Sequence, residues 1–460
     1  MDDDIATARQ CFCLLCAGMA GPGAGGPQYA ATGNYRLDAL LFPDTDRWNE
    51  AAPLGTPVAA SYSFLTSAGS SGDNFGFATM NETQKAGARA AFASWEAVTN
   101  IHFVELSGGA DIRLGTNYQG FASAAYAYRP GPGIGGDIYL NNFALSNQDM
   151  RAGSYGLLTM VHEIGHAIGL KHPGDYNATG SGTGPFLPAG EDNINNTVMS
   201  YNDFGNPYPS APRPYDVEAV QYLYGPERDT GIAYNQSGDT LRTTGAGAAD
   251  ILIGINRSDV LSGADGSDTV FGQDGDDVIY GNRNTDSLDG GAGNDTIFGG
   301  QNNGPAGDDG VLRQGSDTIR GGPGADMIYG NHGPDLLYGD DGNDWMHGGQ
   351  NDDTIFGGAG SDTINGGLGN DSLIGGSGDD VYYVNTADDL VVELAGGGND
   401  TIFAAVAIAT PANVETVIVT GTGPAPSPPT SPPPAPPPSP PPPPPPPAPA
   451  DDYAGNVTTS

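Results

Sequence analysis

The feature that most constrains this chain is an aspartate that recurs every nine residues through its second half. Residues 290–298 read GGAGNDTIF and residues 357–365 read GGAGSDTIN. Glycine permits the tight turn, aspartate supplies a hard oxygen ligand, and the aliphatic residue two places later points inward from a short strand. Stacked turns of this kind predict a parallel β-roll with calcium between successive loops. The number of aspartates in phase excludes a flexible linker: Asp250, Asp259, Asp268, Asp277, Asp286, Asp295, Asp317, Asp326, Asp335, Asp344, Asp353, Asp362, Asp371 and Asp380.

The array is uneven along its length. Residues 299–314 break the period, and we interpret them as an insertion looped out between two half-arrays. The units at 254–262 and 281–289 lack several turn glycines and the unit at 245–253 is weaker still, so calcium sites there are doubtful. Without calcium the carboxylates repel one another and the apolar content is low, so the array should be largely unfolded. The expected calcium ligands are Asp268, Asp277, Asp295, Asp317, Asp326, Asp335, Asp344, Asp353, Asp362 and Asp371.

A second constraint is the string HExxHxxGxxHP, which places His162, His166 and His172 within eleven residues. The apolar spacing around it predicts a buried helix, on which His162 and His166 share a face. Gly169 can adopt the left-handed conformation that ends a helix, so His172 approaches from another direction. Three imidazoles leave the fourth tetrahedral position of a zinc ion open, which is the catalytic arrangement. Glu163 adjoins the first ligand and can act on the attacking water without binding the metal.

Composition narrows the class of function. The net charge of -39 argues against nucleic acid as a partner, because a phosphate backbone would be repelled. No apolar stretch reaches the roughly eighteen residues that a membrane span requires. Residues 1–30 begin with acid where a secretory signal is basic, so the general secretory route is not expected. We interpret this segment as a leader, either unstructured or an inhibitory plug in which Cys11, Cys13 or Cys16 offers a thiolate to zinc.

Residues 31–235 are expected to form a mixed α/β domain. His102 falls in a strand pattern away from the histidine string, so we expect it in the core or on the surface and not as a ligand. The alternating and helical patterns predict strands near 58–64, 102–106, 110–114, 124–128 and 137–140, and helices near 82–98 and 216–224 besides the helix of the histidine string.

Residues from about 34 to 235 resemble the catalytic domain of the serralysin-type metalloproteases, a bacterial branch of the metzincins. Beyond the histidine string, the resemblance rests on residues 34–41, on residues 135–141 and on the run Thr197-Val198-Met199-Ser200-Tyr201, which resembles the Met-turn. Pro173, after the third histidine, favours serralysins over the astacin, matrixin or snake-venom branches.

This resemblance implies an α+β metzincin fold and assigns further roles. Met199 would form a packing floor beneath the zinc. Tyr201 would be an additional, retractable zinc ligand whose hydroxyl turns to the substrate oxyanion. The strand near 124–128 resembles the edge strand that pairs with an extended peptide substrate.

The nine-residue unit is the GGxGxDxUx repeat of RTX proteins, so a second resemblance covers residues 236–383. RTX arrays typically accompany one-step type I export, in which low cytosolic calcium keeps the chain unfolded until it leaves the cell. This implies a secreted, extracellular protein with the type I secretion apparatus as a partner, and we expect a monomer. After the array we expect a β-rich cap over 384–422, a stiff proline-rich linker over 423–450 and the opening of a further module over 451–460, so that the natural chain continues.

The leading interpretation is a secreted zinc endopeptidase that cleaves proteins or peptides, with one catalytic Zn²⁺ and several Ca²⁺ ions. Glu163 would transfer the proton of the attacking water and Tyr201 would stabilise the oxyanion. The first alternative is an RTX calcium-binding adhesion or interaction protein with an inactive protease domain, against which the intact motif residues argue. A matrixin-like branch is a further alternative, disfavoured by the array and by Pro173.

Overall fold

A computed structural model describes most of the two predicted domains. The leader with its three cysteines, most of the insertion, the proline-rich linker and the C-terminal segment lie outside the described residues. None of the described helices is long and apolar enough to cross a bilayer. The described residues are 32–42, 47–48, 54–68, 75–121, 123–131, 134–174, 185–202, 207–226, 232–300 and 315–421.

The first domain is a five-stranded sheet with helices packed against it. Its helices are α1 Tyr35–Leu40, α2 Glu82–Glu96, α3 Tyr155–Ala167 and α4 Pro214–Tyr224, and its strands are β1 Val58–Phe64, β2 Ile101–Glu105, β3 Ile112–Asn117, β4 Ala125–Ala127 and β5 Ile138–Asn141. The strand order is β2-β1-β3-β5-β4, with every neighbouring pair parallel except β4 and β5. The predicted α+β architecture is confirmed, and the predicted elements differ from the observed ones by a few residues at their ends.

Side-chain caps determine where the two long helices begin. Asn81 accepts the Gln84 N–H at 2.9 Å, and the Gln84 side chain accepts the Asn81 N–H at 3.0 Å, which is a capping box. Ser154 accepts an N–H from the first turn of α3 at 3.2 Å. The helices are then joined across the core, where the buried Trp95 indole donates to the Val161 carbonyl at 3.0 Å. The caps and this bond together place α3 beneath the sheet.

The second domain is the predicted parallel β-roll. Each nine-residue unit supplies one strand, and successive strands join alternately an eight-stranded and an eleven-stranded sheet. Leu252, Val270 and Leu288 are therefore in register within one sheet, and Leu261 and Ile279 within the other. These inward aliphatic residues are buried and form a single column between the sheets.

The bounds of the strands in the roll follow the repeat closely. They are β6 Ala233–Ser237, β7 Thr240–Thr244, β8 Ile251–Ile253, β9 Val260–Ser262, β10 Thr269–Phe271, β11 Val278–Asn282, β12 Ser287–Asp289, β13 Thr296–Gly300, β14 Thr318–Pro323, β15 Met327–His332, β16 Leu336–Asp341, β17 Trp345–Gln350, β18 Thr354–Ala359, β19 Thr363–Leu368, β20 Ser372–Ser377, β21 Val381–Val384, β22 Leu390–Val392, β23 Thr401–Ala404 and β24 Thr416–Val419.

The stacking continues across the predicted insertion and beyond the regular repeats. The Asp286 N–H donates to Asp317, which lies 31 residues further along the chain. In the regular part of the roll, the same bond joins aspartates 18 residues apart, so that one full turn of the roll contains two nine-residue units. At the start of the roll, β6 and β7 form an antiparallel hairpin that crosses the predicted boundary at residue 235. At the other end, β22, β23 and β24 extend the same two sheets through the predicted cap.

The first turns of the roll pack against the first domain at a contact that we call the junction. Ile253 belongs to the same buried cluster as the core of the first domain. The Arg257 guanidinium donates to the carbonyl oxygens of residues 108 and 109 at 2.9 and 2.8 Å. Asn256 donates to Asp111 at 2.8 Å. The two domains therefore share both apolar and polar contacts at the beginning of the array.

Candidate active site

The helix with the histidine string is buried, and side chains from other segments donate hydrogen bonds to the carbonyls at its C-terminal end. α3 is enclosed along its length, with twelve of its thirteen residues buried. The Trp48 indole donates to the Ala167 carbonyl at 3.0 Å, and the Tyr224 hydroxyl donates to the Ile168 carbonyl at 3.1 Å. These bonds satisfy carbonyls that a helix end leaves without an intrahelical partner.

The chain reverses directly after this helix. Gly169 has a φ of +104°, the left-handed region predicted for it. The following segment is anchored on the end of α1, since Lys171 N–H donates to the Leu40 carbonyl at 2.8 Å and Leu170 bridges Leu41. Residues 34–41 thus hold the loop that presents the third histidine.

The three histidines of the string converge on one point. The Nε2 atom of His172 lies 3.1 Å from Nε2 of His162 and 2.9 Å from Nε2 of His166. The Nδ1 atoms of His162 and His166 lie 2.7 and 2.8 Å from the carbonyl oxygens of Val198 and Leu170. A carbonyl can only accept, so each Nδ1 is protonated and each Nε2 offers a lone pair to the common point.

This donor set fits a zinc ion. Burial lowers the pKa of His162 to about 4 and that of His166 to about 3, and the pKa of His172 also lies well below its usual value because of burial. The imidazoles are therefore neutral at pH 7, which is the form that binds a metal. Nitrogen ligands about 2.0–2.1 Å from a tetrahedral zinc lie about 3.3–3.4 Å apart, close to the observed separations. The predicted zinc triad is thus assembled by the fold.

Glu163 is buried on the same helix, with 5% of its surface exposed. Its Oε2 atom has no hydrogen-bond partner, and burial raises its pKa to about 8. A buried carboxyl group without a partner favours the protonated form, and a nearby cation would favour the carboxylate. The charge of Glu163 therefore depends on whether a cation lies next to it.

The run that resembles a Met-turn lies against the histidines. Met199 is fully buried, and a Cβ added at Gly165 would lie 2.5 Å from Met199 Sδ, so the glycine of the string makes room for this methionine. The Tyr201 ring centre is 5.4 Å from that of His162 and 4.6 Å from that of His172. Both residues thus lie next to the helix of the histidine string or its histidines, and the roles that the resemblance implies for them stay predictions.

One residue that holds this turn was not identified from the sequence. Asp216 is fully buried on α4, where its carboxylate accepts the Thr197 hydroxyl at 2.5 Å and the N–H groups of Val198 and Arg213 at 2.8 Å each. Burial raises its pKa to about 6, while these bonds act in the opposite direction. The sequence signal was limited to an acidic residue in the first turn of a helix, which is ordinarily a helix-end feature.

The aspartates of the roll form two ladders along its length. From Asp268 to Asp380, each accepts through Oδ1 the N–H of the aspartate one turn earlier, as Asp344 does from Asp326 at 2.8 Å. The Oδ2 atom of Asp344 is buried without a partner, and it borders the same space as the carbonyl of Gly357. Burial raises the pKa of Asp344 to about 7. A carboxylate oxygen and backbone carbonyls around one space are the hard oxygen ligands that calcium takes, so the roll fits the predicted ions.

The ladder also separates stronger from weaker candidate sites. In Asp250 and Asp259 the Oδ2 atom accepts an N–H at 2.6 Å, which leaves it less available to an ion. Asp286, Asp380 and Asp400 were not among the expected ligands, yet each has a buried Oδ2 without a hydrogen-bond partner. Every expected calcium ligand shares that property. Which of them bind calcium stays a prediction.

Comparison with known proteins gives the class. Residues 74–179 match the family model described as Matrixin. Five segments match the model of the RTX calcium-binding nonapeptide repeat: 253–288, 271–304, 313–346, 347–382 and 356–391. The chain thus joins a matrixin domain, which contains the zinc-type histidine triad, to RTX calcium-binding repeats.

Within that class the chain is similar to the serralysins. It is 39% identical over 207 residues to Metallopeptidase AprA of Pseudomonas marginalis, which covers 40% of this chain and 42% of the relative. It is 34% identical over 215 residues to Serralysin A of Dickeya chrysanthemi, covering 43% and 44%. The chain therefore aligns with less than half the length of these curated relatives. The matched family model has the description Matrixin, whereas one of these two relatives is named a serralysin.

Proposed function

We propose that this protein is a zinc-dependent endopeptidase whose fold is completed by a calcium-stabilised roll. The observation that supports it most directly is that the Nε2 atoms of His162 and His166 both lie within 3.1 Å of Nε2 of His172, on the helix that also contains the buried, unpartnered Glu163 oxygen. A structural zinc site would be closed by a fourth protein ligand of the Cys or His type. The triad has none in the described part of the chain.

The roles of the residues follow from their positions. His162, His166 and His172 hold zinc, which when bound supplies the Lewis acidity that polarises a peptide carbonyl. Glu163 takes a proton from the attacking water and returns it to the leaving amine. Tyr201, with its ring against two of the histidines, is the further ligand and the donor to the oxyanion.

The sheet offers a place for the peptide. β4 is the edge strand, and it is antiparallel to β5, so its outer side can pair with an extended substrate. Substrates in this proposal are proteins and peptides that present an extended segment. The alternative of an inactive protease domain has no support, since the histidines, Glu163 and Tyr201 are intact and assembled.

Export and cellular location belong to the same proposal. We infer a secreted, extracellular monomer that leaves the cell through a type I apparatus. This inference is supported by the buried aspartates, because the roll needs cations to fold around them. At low calcium the chain therefore stays unfolded and can pass through the secretion apparatus. Calcium outside the cell would then fold the roll.

The catalytic proposal is tested by Glu163→Gln in zinc-loaded, calcium-saturated protein. Digestion of casein should fall by about a hundredfold to ten-thousandfold, the contribution typical of general acid–base catalysis, while zinc content is unchanged. Glu82→Gln is the matched control, because the Glu82 side chain is 83% exposed and remote from the string; its activity should equal that of the unmodified protein. Undiminished proteolysis in the Glu163 variant would refute the assignment.

A further inference from the structure

The C-terminal end of the roll departs from the repeat in a specific way. In regular turns, the carbonyl of the first glycine of the next turn borders the aspartate Oδ2, as the carbonyl of Gly375 does for Asp362. One turn later the residue in the position of that glycine is Glu393. A Cβ added at Gly375 would meet Glu393 Oε1 and Asp380 Oδ2 together. A side-chain carboxylate thus stands where the regular turns place a backbone carbonyl.

A second departure from the repeat pattern accompanies Glu393. The inward column that is aliphatic in the regular units contains Tyr382, which is fully buried and in register with Ile364 and Ile402. The Tyr382 hydroxyl donates to Glu393 Oε1. The tyrosine therefore fixes the orientation of the new carboxylate from within the column.

A third carboxylate completes the group. Asp380, Glu393 and Asp400 are 1%, 6% and 1% exposed, and one oxygen of each lies within 4.8 Å of the others. Asp380 Oδ2 and Asp400 Oδ2 have no hydrogen-bond partner. Burial, followed by the neighbouring carboxylates, raises the pKa of Asp380 to about 7. Three buried acids at this spacing repel one another unless a cation or protons neutralise them.

Lysine and arginine side chains do not neutralise the charge of these three carboxylates. The sequence contains no lysine or arginine after Arg320, and no ion pair joins the three carboxylates to a basic side chain within the described residues. Oxygens bound at about 2.3–2.6 Å to one calcium ion lie at most about 5 Å apart, which agrees with the observed spacing. All the ligand atoms that these three side chains offer are oxygens, which are the ligands that hard cations require.

We propose that Asp380, Glu393 and Asp400 form a cation site of their own, specific for a hard divalent ion of the calcium class. It differs from the repeat sites by supplying three side-chain carboxylates to one ion, where a repeat site relies chiefly on backbone carbonyls. The greater negative charge makes it the tightest calcium site of the roll. Its ion fastens the irregular segment 393–400 to the last regular turn, so the site is independent of peptide hydrolysis.

The test is calcium binding to the full chain, measured by titration against a chromophoric chelator after removal of all metal. Glu393→Gln should lose the tightest calcium ion or weaken it by about tenfold or more, with the remaining ions unchanged. Asp388→Asn is the matched control, because it removes the same charge five residues away at an exposed position, and it should leave the tightest ion unaffected. A tightest ion of equal affinity in the Glu393 variant and the unmodified chain would overturn the proposal.

A second variant keeps the test valid if the glutamine variant does not fold. Tyr382→Phe retains the buried ring and removes only the hydroxyl that orients Glu393, so the tightest ion should weaken by about threefold to tenfold. Asp344→Asn should instead remove an ion of the weaker class. Loss of the tightest ion in the Asp344 variant, with no change in the Tyr382 variant, would assign that ion to the repeats and refute the site.

Discussion

The two domains bury their polar groups in different ways. In the first domain, buried carboxylates other than Glu163 are bonded by the protein itself: Asp216 accepts three hydrogen bonds, and Asp137 pairs with Arg113 at 2.7 and 2.8 Å. In the roll, an oxygen of nearly every buried aspartate lacks a partner, and the core is one column of side chains. We therefore expect packing to hold the first domain together, and we expect the roll to need bound ions in order to fold.

The largest effect should come from removing calcium. Dialysis against calcium-free buffer that contains zinc should abolish the β-sheet circular dichroism of the roll and open residues 245–404 to endoproteinase Asp-N. Each ion at a hundredfold excess over its Kd contributes about 2.7 kcal/mol, so several ions together rival the whole stability of a typical domain, about 5–15 kcal/mol. The helices of the first domain should persist. A roll that keeps its β-sheet circular dichroism without calcium would show that its fold does not depend on bound ions.

The second effect concerns pH in the metal-free protein. Burial raises the pKa of Asp277 and Asp326 to about 8 and that of Asp344 to about 7, above the value near 4 of an unfolded chain. A raised pKa means that the folded roll binds protons more tightly, so its stability is greatest below about pH 4 and is lost as the pH rises through about 7–8. Acidification from pH 8 to 5 should therefore restore β-sheet signal.

The matched measurement for this pH dependence uses saturating calcium. Protons then compete with the ion for the same oxygens, so the calcium affinity should fall over the same interval. An identical pH response with and without calcium would show that the unpartnered oxygens of the roll do not face ions.

The third effect tests the packed domain. Asp216→Asn removes a charged acceptor of three buried hydrogen bonds, and the first domain should lose about 2–3 kcal/mol of its free energy of unfolding in urea with calcium present. Asp149→Asn is the control, because Asp149 pairs with Arg151 at an exposed position and its loss should leave stability unchanged. Equal stability of both variants would mean that the Met-turn does not depend on α4.

The smallest effect concerns the junction. Arg257→Ala removes two hydrogen bonds to the first domain, which should reduce by about 1–2 kcal/mol the stabilisation that calcium gives to that domain. Thermal unfolding of the first domain with and without calcium measures this coupling. Arg242→Ala, at an exposed position on β7, should retain the full calcium effect. If calcium stabilises the first domain equally in both variants, the two domains are coupled elsewhere.

Local patterns explain why so much could be predicted. The nine-residue period determines which residues face inward, because each unit forms one strand and the next unit repeats it. The helix of the histidine string was predictable because its apolar spacing lies within one short segment. The insertion between the two half-arrays was also predictable, because the nine-residue period of aspartates resumes at Asp317.

Contacts between distant segments were not predictable. Asp216 meets Val198 only because α4 docks beside the Met-turn, and Trp48 reaches α3 from 119 residues away. The position of Glu393 was not predictable for a related reason. The period fails after Asp380, so no pattern indicated that its side chain turns back toward the last regular aspartate.

The ligand types, the spacing of the histidines and the repeat that stacks into a roll follow from the amino-acid sequence alone, because they depend on residue identity and on the local periods of helix and strand. Tertiary structure alone decided which lone pairs converge, which carboxylates stay without a partner and which are bonded by the protein. The physical reason is that burial and pairing depend on what packs against a group. For Glu163, Asp216 and Asp380 those neighbours come from other elements of the fold.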